Sequence, residues 1–288
     1  MRLETLRRLH APEDPNGPPL TLMVAVTEAT DERDGDVYTG TAQVGTHGPY
    51  AIRDGVLDLI GSHKFAVSSA QRSNFFWPTS TFYEQVWRRR SLSLLAGEAF
   101  SVERELALLN RWVRPERGGL YVDIGTSHGL YARDLAHEFQ RHGAAGTVLA
   151  IDIAPAMLRR AGELIAQKGY TTIDRARARA QALPIANGDA AGVVNGGTFN
   201  EMGAQADALR ETRRVLAPDG VAFTMSLTAA RTRVGASVQN ALQSGLSIIF
   251  PTVADTNALY DAAGLTITDQ EQHGIVLLTR AVPREPGK

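Results

Sequence analysis

The stretch "YVDIGTSHGLYARDLA", from Tyr121 to Ala136, sets Asp123, Gly125, Ser127, His128 and Gly129 close together. An apolar run ending in a carboxylate, then glycines, then apolar residues at helical spacing reads as strand, loop and helix. Gly125 and Gly129 let the backbone turn sharply and approach a ligand with no Cβ in the way. The helix that follows offers unpaired N–H groups and the positive end of its dipole. Such a turn suits a nucleotide-like ligand. A second apolar run, "GTVLAIDI", ends in Asp152 before Ile153. That places another carboxylate at the tip of the adjacent strand, where it can accept both hydroxyls of a ribose. Asp152 also precedes "APAMLRRAGE", so capping the next helix is its other reading, and both stay open.

From Gly125 the order is Gly-Thr-Ser-His-Gly-Leu, so the later glycines of the dinucleotide pattern G-x-G-x-x-G are missing. Ser127 stands where a D-x-G-x-G-x-G rhythm would put its middle glycine. With ordinary dihedrals its Cβ leaves room for a cofactor, and its hydroxyl can cap the following helix. His128 either faces the ligand or caps that helix. Asn195, in "NGGTF", either forms a turn or reaches the ligand. Phe75, Phe76, Trp77, Phe82, Tyr83 and Trp87 form an aromatic cluster, read as core or lid packing, and "RRR" after it as a solvated helix face. No Ser-His-Asp order and no H-E-x-x-H spacing occurs, so neither a catalytic residue nor a metal ligand is assigned.

The elements that position these residues fall into three zones. Residues 1–65 carry short strand-like runs, "LTLMVAV", "DVYTGTAQV" and "YAIRDGVLDLI", separated by turn residues, and read as a small β-rich module. Residues 66–97 form the aromatic-rich lid or linker. Residues 98–288 alternate strands with helices, the order of βαβ units. Strands are expected near 119–124, 147–152, 172–178, 190–195 and 219–226, and helices near 98–113, 129–142, 154–168, 202–216 and 252–263. A hairpin turning at His273-Gly274 closes the zone. This order predicts an α/β fold: an open, doubly wound, mostly parallel sheet that takes its ligand beyond the carboxyl ends of the strands.

Composition narrows the classes. With 288 residues, 43% hydrophobic and 21% charged, the chain suits a soluble globular protein with a sizeable core. A formal charge of −1 exerts no global pull on nucleic acid or membrane. The absence of cysteine excludes disulfides and a thiolate nucleophile. The opening residues lack the apolar core of a secretory signal, and a cytoplasmic location is the default expectation.

The spacing D-x-G-x-x-x-G followed by "AIDIAPAML" resembles the class I S-adenosylmethionine-dependent methyltransferases. "ETRRVLAPDGVAFTMSL" is similar to that family's segment before its fifth strand, and "ARAQALPIANGDAAGVVNGGTFNEM" to the segment between its third and fourth. "LYDAAGLTIT" is similar to the usual entry to its sixth strand. "GDVYTGTAQVGTHGPYAIRDGVLDLI" resembles the zinc-ribbon-like segment that precedes some members, including rRNA guanine methyltransferases and a chloroplast group. "FYEQVWRRR" resembles the latter's "YE-x-x-W-R". The ribbon's four cysteines are absent, and His47 alone cannot make a tetrahedral zinc site, so a metal-free hairpin is expected.

The resemblance implies a seven-stranded Rossmann-like sheet and S-adenosylmethionine as cofactor. Asp123, Gly125, Ser127 and Gly129 would line its methionine end, Asp152 would hold the ribose and Ile153 the adenine. Ala180 and Gln181 would approach the adenine edge, Asn195 would lie near the transferred methyl, and Tyr83, with Trp87, would belong to a lid. Arg179, Ala191 and Asp219 depart from the family pattern. Arg175, Arg177 and Arg179 alternate with alanine on a strand expected at the sheet edge, where charge defends against edge pairing. Arg179 either belongs to that defence or enters the adenine pocket. The reaction implied is methyl transfer to a small-molecule nucleophile. A catalytically inactive binding protein and an rRNA methyltransferase are the alternatives, and no nucleic-acid partner is expected.

Overall fold

The computed structural model describes residues 1–23, 31–33, 36–61, 100–230 and 232–285. From the amino end it runs α1 (Leu3–Leu6), β1 (His10–Ala11), β2 (Asp14–Pro19), β3 (Thr21–Met23), β4 (Asp31–Arg33), β5 (Asp36–Val44), β6 (His47–Arg53) and β7 (Val56–Asp58). After residue 99 come α2 (Val102–Val113), β8 (Gly119–Ile124), α3 (Leu130–His142), β9 (Gly146–Asp152), α4 (Pro155–Lys168), β10 (Ile173–Arg177) and β11 (Ala190–Gly196). Then follow α5 (Gln205–Val215), β12 (Leu216–Leu227), α6 (Arg233–Leu246), α7 (Val253–Ala262), β13 (Leu265–His273) and β14 (Val276–Pro283).

The central order is β10-β9-β8-β11-β12-β14-β13, parallel from β10 to β12 and antiparallel in the closing hairpin. The doubly wound seven-stranded sheet is as expected. Period-two alternation sends Leu120, Val122 and Ile124 of β8 to one face and Tyr121 to the other. The first face is covered by Leu209 and Val215 of α5 and Tyr260 of α7. The second is covered by Trp112 of α2, Tyr131, Leu135 and Phe139 of α3, and Ala161 and Ile165 of α4. Local sequence sets the helix limits. Ser101 caps α2, Pro155 opens α4, and Gly143 and Gly169 close α3 and α4 in the left-handed conformation.

Two expectations change. β10 is not the sheet edge. β7 pairs with it in parallel, Arg175 opposite Val56 and Arg177 opposite Asp58, and β6, β5 and β3 extend the sheet beyond. Arg175 and Arg177 therefore do not guard a free edge. Arg177 binds Asp58, with Nη1 3.0 Å from Oδ2, and the carbonyl of Ile153. The second change is α6, a helix that the pattern did not announce. Gln239 docks it: its Nε2 donates to Thr228 O at 2.9 Å, and its Oε1 accepts from the Ala230 N–H at 2.7 Å. Among the described residues no helix is long and apolar enough to cross a membrane.

Candidate cofactor site

The carboxyl ends of β8, β9 and β11 meet at the glycine turn. Gly125, Ser127 and Gly129 all have positive φ, +64°, +51° and +80°. For Ser127 this is the left-handed region, so the condition of ordinary dihedrals under which its Cβ leaves room is not met. Nor does its hydroxyl cap the helix: α3 has Gly129 at its N-cap with no side-chain cap, and Ser127 Oγ lies 3.4 Å from Met157 Sδ. His128, fully buried, does not cap the helix either.

Two carboxylates grip the loop. Asp123 Oδ2 accepts from Thr126 Oγ1 at 2.6 Å and from the Ala132 N–H at 3.1 Å, tying the turn to α3. Asp152 Oδ2 accepts from the Ser127 N–H and Oδ1 from the Ala154 N–H, both at 2.9 Å. Burial pushes the Asp152 carboxyl pKa up, while the N–H groups of Ala154, Ser127 and Ile153 pull it down. A carboxylate offers about four acceptor directions. With the Ser127, Ala154 and Ile153 N–H groups served, one direction remains for a hydroxyl donor. A ribose fits these residues chemically, although Asp152 is only 9% exposed.

Asn195 closes the site from β11. Its Nδ2 donates to Ile124 O at 2.9 Å and to Thr198 Oγ1 at 2.7 Å, and its Oδ1 accepts from the Phe199 N–H at 3.1 Å. The amide is thus used within the fold, which favours its turn-forming reading. Thr198 in turn explains Gly125. A Cβ on Gly125 would stand 2.2 Å from Thr198 Oγ1, so the glycine makes room for protein as well as for any ligand. Thr126, Met157 and Thr198 were not singled out in the sequence. Only Thr126 carried a signal, a hydroxyl three residues after Asp123 at a turn.

The remaining expected residues divide. Ile153 and Gln181 are half-buried and Ala180 is buried, all on the side where β10 passes Asp152, whose carbonyl accepts from the Ala178 N–H at 3.3 Å. Arg179 is exposed. Ala191 is half-buried within β11, and Asp219 lies at the amino end of β12, away from the loop, exposed and 3.4 Å from Arg117 Nη2. Tyr83 and Trp87, with the other aromatics at 75–82 and the arginines after them, lie outside the described residues.

Against this geometry, residues 122–220 match the family model described as a methyltransferase domain. These residues, about a third of the chain, are thus similar to a methyltransferase domain. Two chloroplast proteins of Arabidopsis thaliana, both described as uncharacterized methyltransferases, are similar to it. One is 27% identical over 146 residues, 49% of this chain and 39% of that protein. The other is 29% identical over 149 residues, 49% of this chain and 40% of that protein. The match thus spans about two fifths of the length of these curated relatives. Among solved structures, the YcgJ protein of Bacillus subtilis aligns with a TM-score of 0.54 at 15% identity, covering 64% of this chain and 99% of that one. Phosphoethanolamine N-methyltransferase 2 of Haemonchus contortus, solved with phosphomonomethylethanolamine and S-adenosylhomocysteine, aligns with 0.60 at 13% identity over 75% of this chain and 59% of that one. The [4+2]-cyclase SpnF aligns with 0.56 at 14% identity over 77% of this chain and 99% of that one. At these identities the solved structures speak for the fold of the methyltransferase domain, and the cyclase among them shows that this fold does not dictate one reaction.

Proposed function

We propose that the chain transfers a methyl group from S-adenosylmethionine to a small-molecule nucleophile. The observation that carries this reading is the Asp152 carboxylate, held by the Ser127 and Ala154 N–H groups against the glycine turn. The cofactor, when bound, supplies an activated methyl group on a sulfonium. The chain's own part is binding and alignment. The backbone from Gly125 to Gly129 receives the methionine end, Asp152 accepts from a ribose hydroxyl, and Ile153 covers the adenine beside Ala180 and Gln181. Asp123 and Asn195 hold the loop and the β11 turn in place. In-line transfer needs nucleophile, methyl and sulfur held in register more than it needs a dedicated base. No residue is assigned as catalytic.

A small-molecule acceptor is supported by the chain's formal charge of −1 and by the phosphomonomethylethanolamine bound to the nematode enzyme. The zinc-ribbon-like segment, residues 1–65, belongs to the proposal as a cysteine-free extension, residues 66–97 as lid or linker with Tyr83, and a cytoplasmic location as its setting. Calorimetry and thermal shift with S-adenosylmethionine and S-adenosylhomocysteine test the reading. Ligand at 100 times its Kd raises stability by about 2.7 kcal/mol. No heat and no shift at millimolar ligand would overturn it. A second reading, a binding protein without catalysis, is favoured by the left-handed Ser127 in place of glycine. It predicts cofactor binding with no methylated product from any acceptor offered.

A further inference from the structure

Helix α4 carries Gly162 in its interior, where alanine would favour the helix by about 1 kcal/mol. A Cβ there would stand 2.2 Å from Nη1 of Arg175 and 2.6 Å from its Cζ. The helix leaves that space open, and the guanidinium lies across it. Gly55 borders the same group, since a Cβ on it would lie 3.3 Å from Arg175 Nη2. Arg175 donates to Leu158 O at 2.8 Å and to Asp54 O at 2.6 Å. Both acceptors are carbonyls. The neighbouring Asp174 is bound by Arg2 at 2.8 Å, and Asp58 by Arg177 at 3.0 Å and by the Ile60 and Gly61 N–H groups.

Burial pushes the Arg175 pKa down, but a guanidinium keeps its proton at any working pH. The charges of Asp174 and Asp54 act against that fall without reversing it, and both hydrogen bonds of the half-buried guanidinium go to neutral carbonyls, so a desolvation cost remains that an anion would offset. Space for one exists beside it. A cavity of about 230 Å³ opens between β7, the first turn of α4 and β10. Its charged lining is Arg53, Arg159, Arg175 and Arg177 against Asp54 and Asp58, four cations to two anions. Taking about 30 Å³ per water, the volume is that of roughly seven or eight waters, enough for a phosphate group with atoms attached.

We infer that this cavity is a binding site for a phosphate-type oxyanion, either inorganic phosphate or the phosphate of a small phosphomonoester. Arginine forks match phosphate oxygens two at a time, and the exposed Arg53 and Arg159 can close over an anion that Arg175 holds from below. The site is built by the amino-terminal strands together with β10, apart from the glycine turn, and it stands whether or not the methyl-transfer reading does.

The test is calorimetry on the full chain with inorganic phosphate and with glycerol phosphate, at fixed ionic strength with chloride as control. Saturable binding with Kd below about 1 mM is expected. Tighter binding of glycerol phosphate than of phosphate assigns the site to a phosphomonoester, and the reverse to free phosphate. Two variants check the location. Arg53→Ser with Arg159→Ser removes the exposed rim, and Gly162→Ala keeps every charge but pushes the Arg175 guanidinium aside. Each is expected to weaken binding about tenfold or more. Failure to saturate, or a Kd unchanged in both variants, overturns the inference.

Discussion

Replacing Ser127 by glycine isolates what the turn costs. The serine sits at φ +51°, a conformation that costs a side-chain-bearing residue about 1–2 kcal/mol. Glycine removes that strain but brings about 0.5–1 kcal/mol of extra chain entropy to be lost on folding. The N–H bond to Asp152 Oδ2 belongs to the backbone and survives, while the Oγ contact with Met157 Sδ at 3.4 Å is lost and is weak. The sum is a gain between zero and about 1.5 kcal/mol, or up to about 4 °C in Tm for a chain of this size. Ser127→Ala keeps the strained φ without the entropy change, so it should be no more stable than the parent. Urea unfolding followed by circular dichroism, with a thermal scan, reads both variants. The reasoning fails if Ser127→Gly loses more than about 1 kcal/mol, or if the alanine variant is more stable than the glycine variant. Because glycine preserves the N–H that Asp152 holds, affinity for S-adenosylmethionine should stay level or tighten.

Gly125→Ala adds left-handed strain to a Cβ placed 2.2 Å from Thr198 Oγ1, which Asn195 holds at 2.7 Å. A loss of about 2–5 kcal/mol is expected by chemical denaturation, and a loss under 1 kcal/mol would mean that Thr198 moves freely. Asp152→Ala should weaken S-adenosylmethionine about ten- to hundredfold by calorimetry, and it should also lower Tm, since the Ser127 and Ala154 N–H groups lose their acceptor. Undiminished affinity would move the ligand elsewhere. Asp134 has its pKa pushed up to about 6, chiefly by burial, with Glu138 adding to the rise and the Asn110 amide opposing it. Its folded pKa exceeds the unfolded value, so the folded chain binds more protons between about pH 4 and 6, and stability falls as pH rises through that window. Asp134→Asn keeps an acceptor for Asn110 and removes the titration. Its stability relative to the parent should be level near pH 4 and higher by about 1–3 kcal/mol at pH 7, and a pH-independent difference would refute the assignment.

What the sequence made legible were the elements whose pattern is local. β8, β9 and β11 announce themselves as apolar runs, and α3 and α4 carry their own punctuation in Gly143, Pro155 and Gly169. α6 escaped because Gly235, Ser237, Ser244 and Gly245 are poor helix formers, and what docks it is a tertiary contact, Gln239 on the end of β12. The pairing of β7 with β10 escaped for a related reason. A parallel contact across more than a hundred residues leaves no trace in either strand's own pattern. The alternating arginines were visible, but their partners were not. Asp58 of β7, Leu158 of α4, and the carbonyls of Asp54 and Ile153 in the loops before those two elements are brought to Arg175 and Arg177 only by the fold.

Asp152 left two readings open in the sequence, helix cap and ribose acceptor; α4 has no side-chain cap, and the carboxylate is instead held by the Ser127 and Ala154 N–H groups. The Ala154 N–H just ahead of α4 fixes Oδ1, and the Ser127 N–H fixes Oδ2, so the carboxylate has little rotational freedom left to lose. A group already oriented by its own fold gives up less entropy when a ligand arrives than one that swings freely. Burial still pushes its pKa up, so the three backbone N–H groups offset its desolvation only in part. The same bonds that make Asp152 look structural are therefore what would hold it in place as a hydroxyl acceptor, and its loss should register in stability and in affinity together.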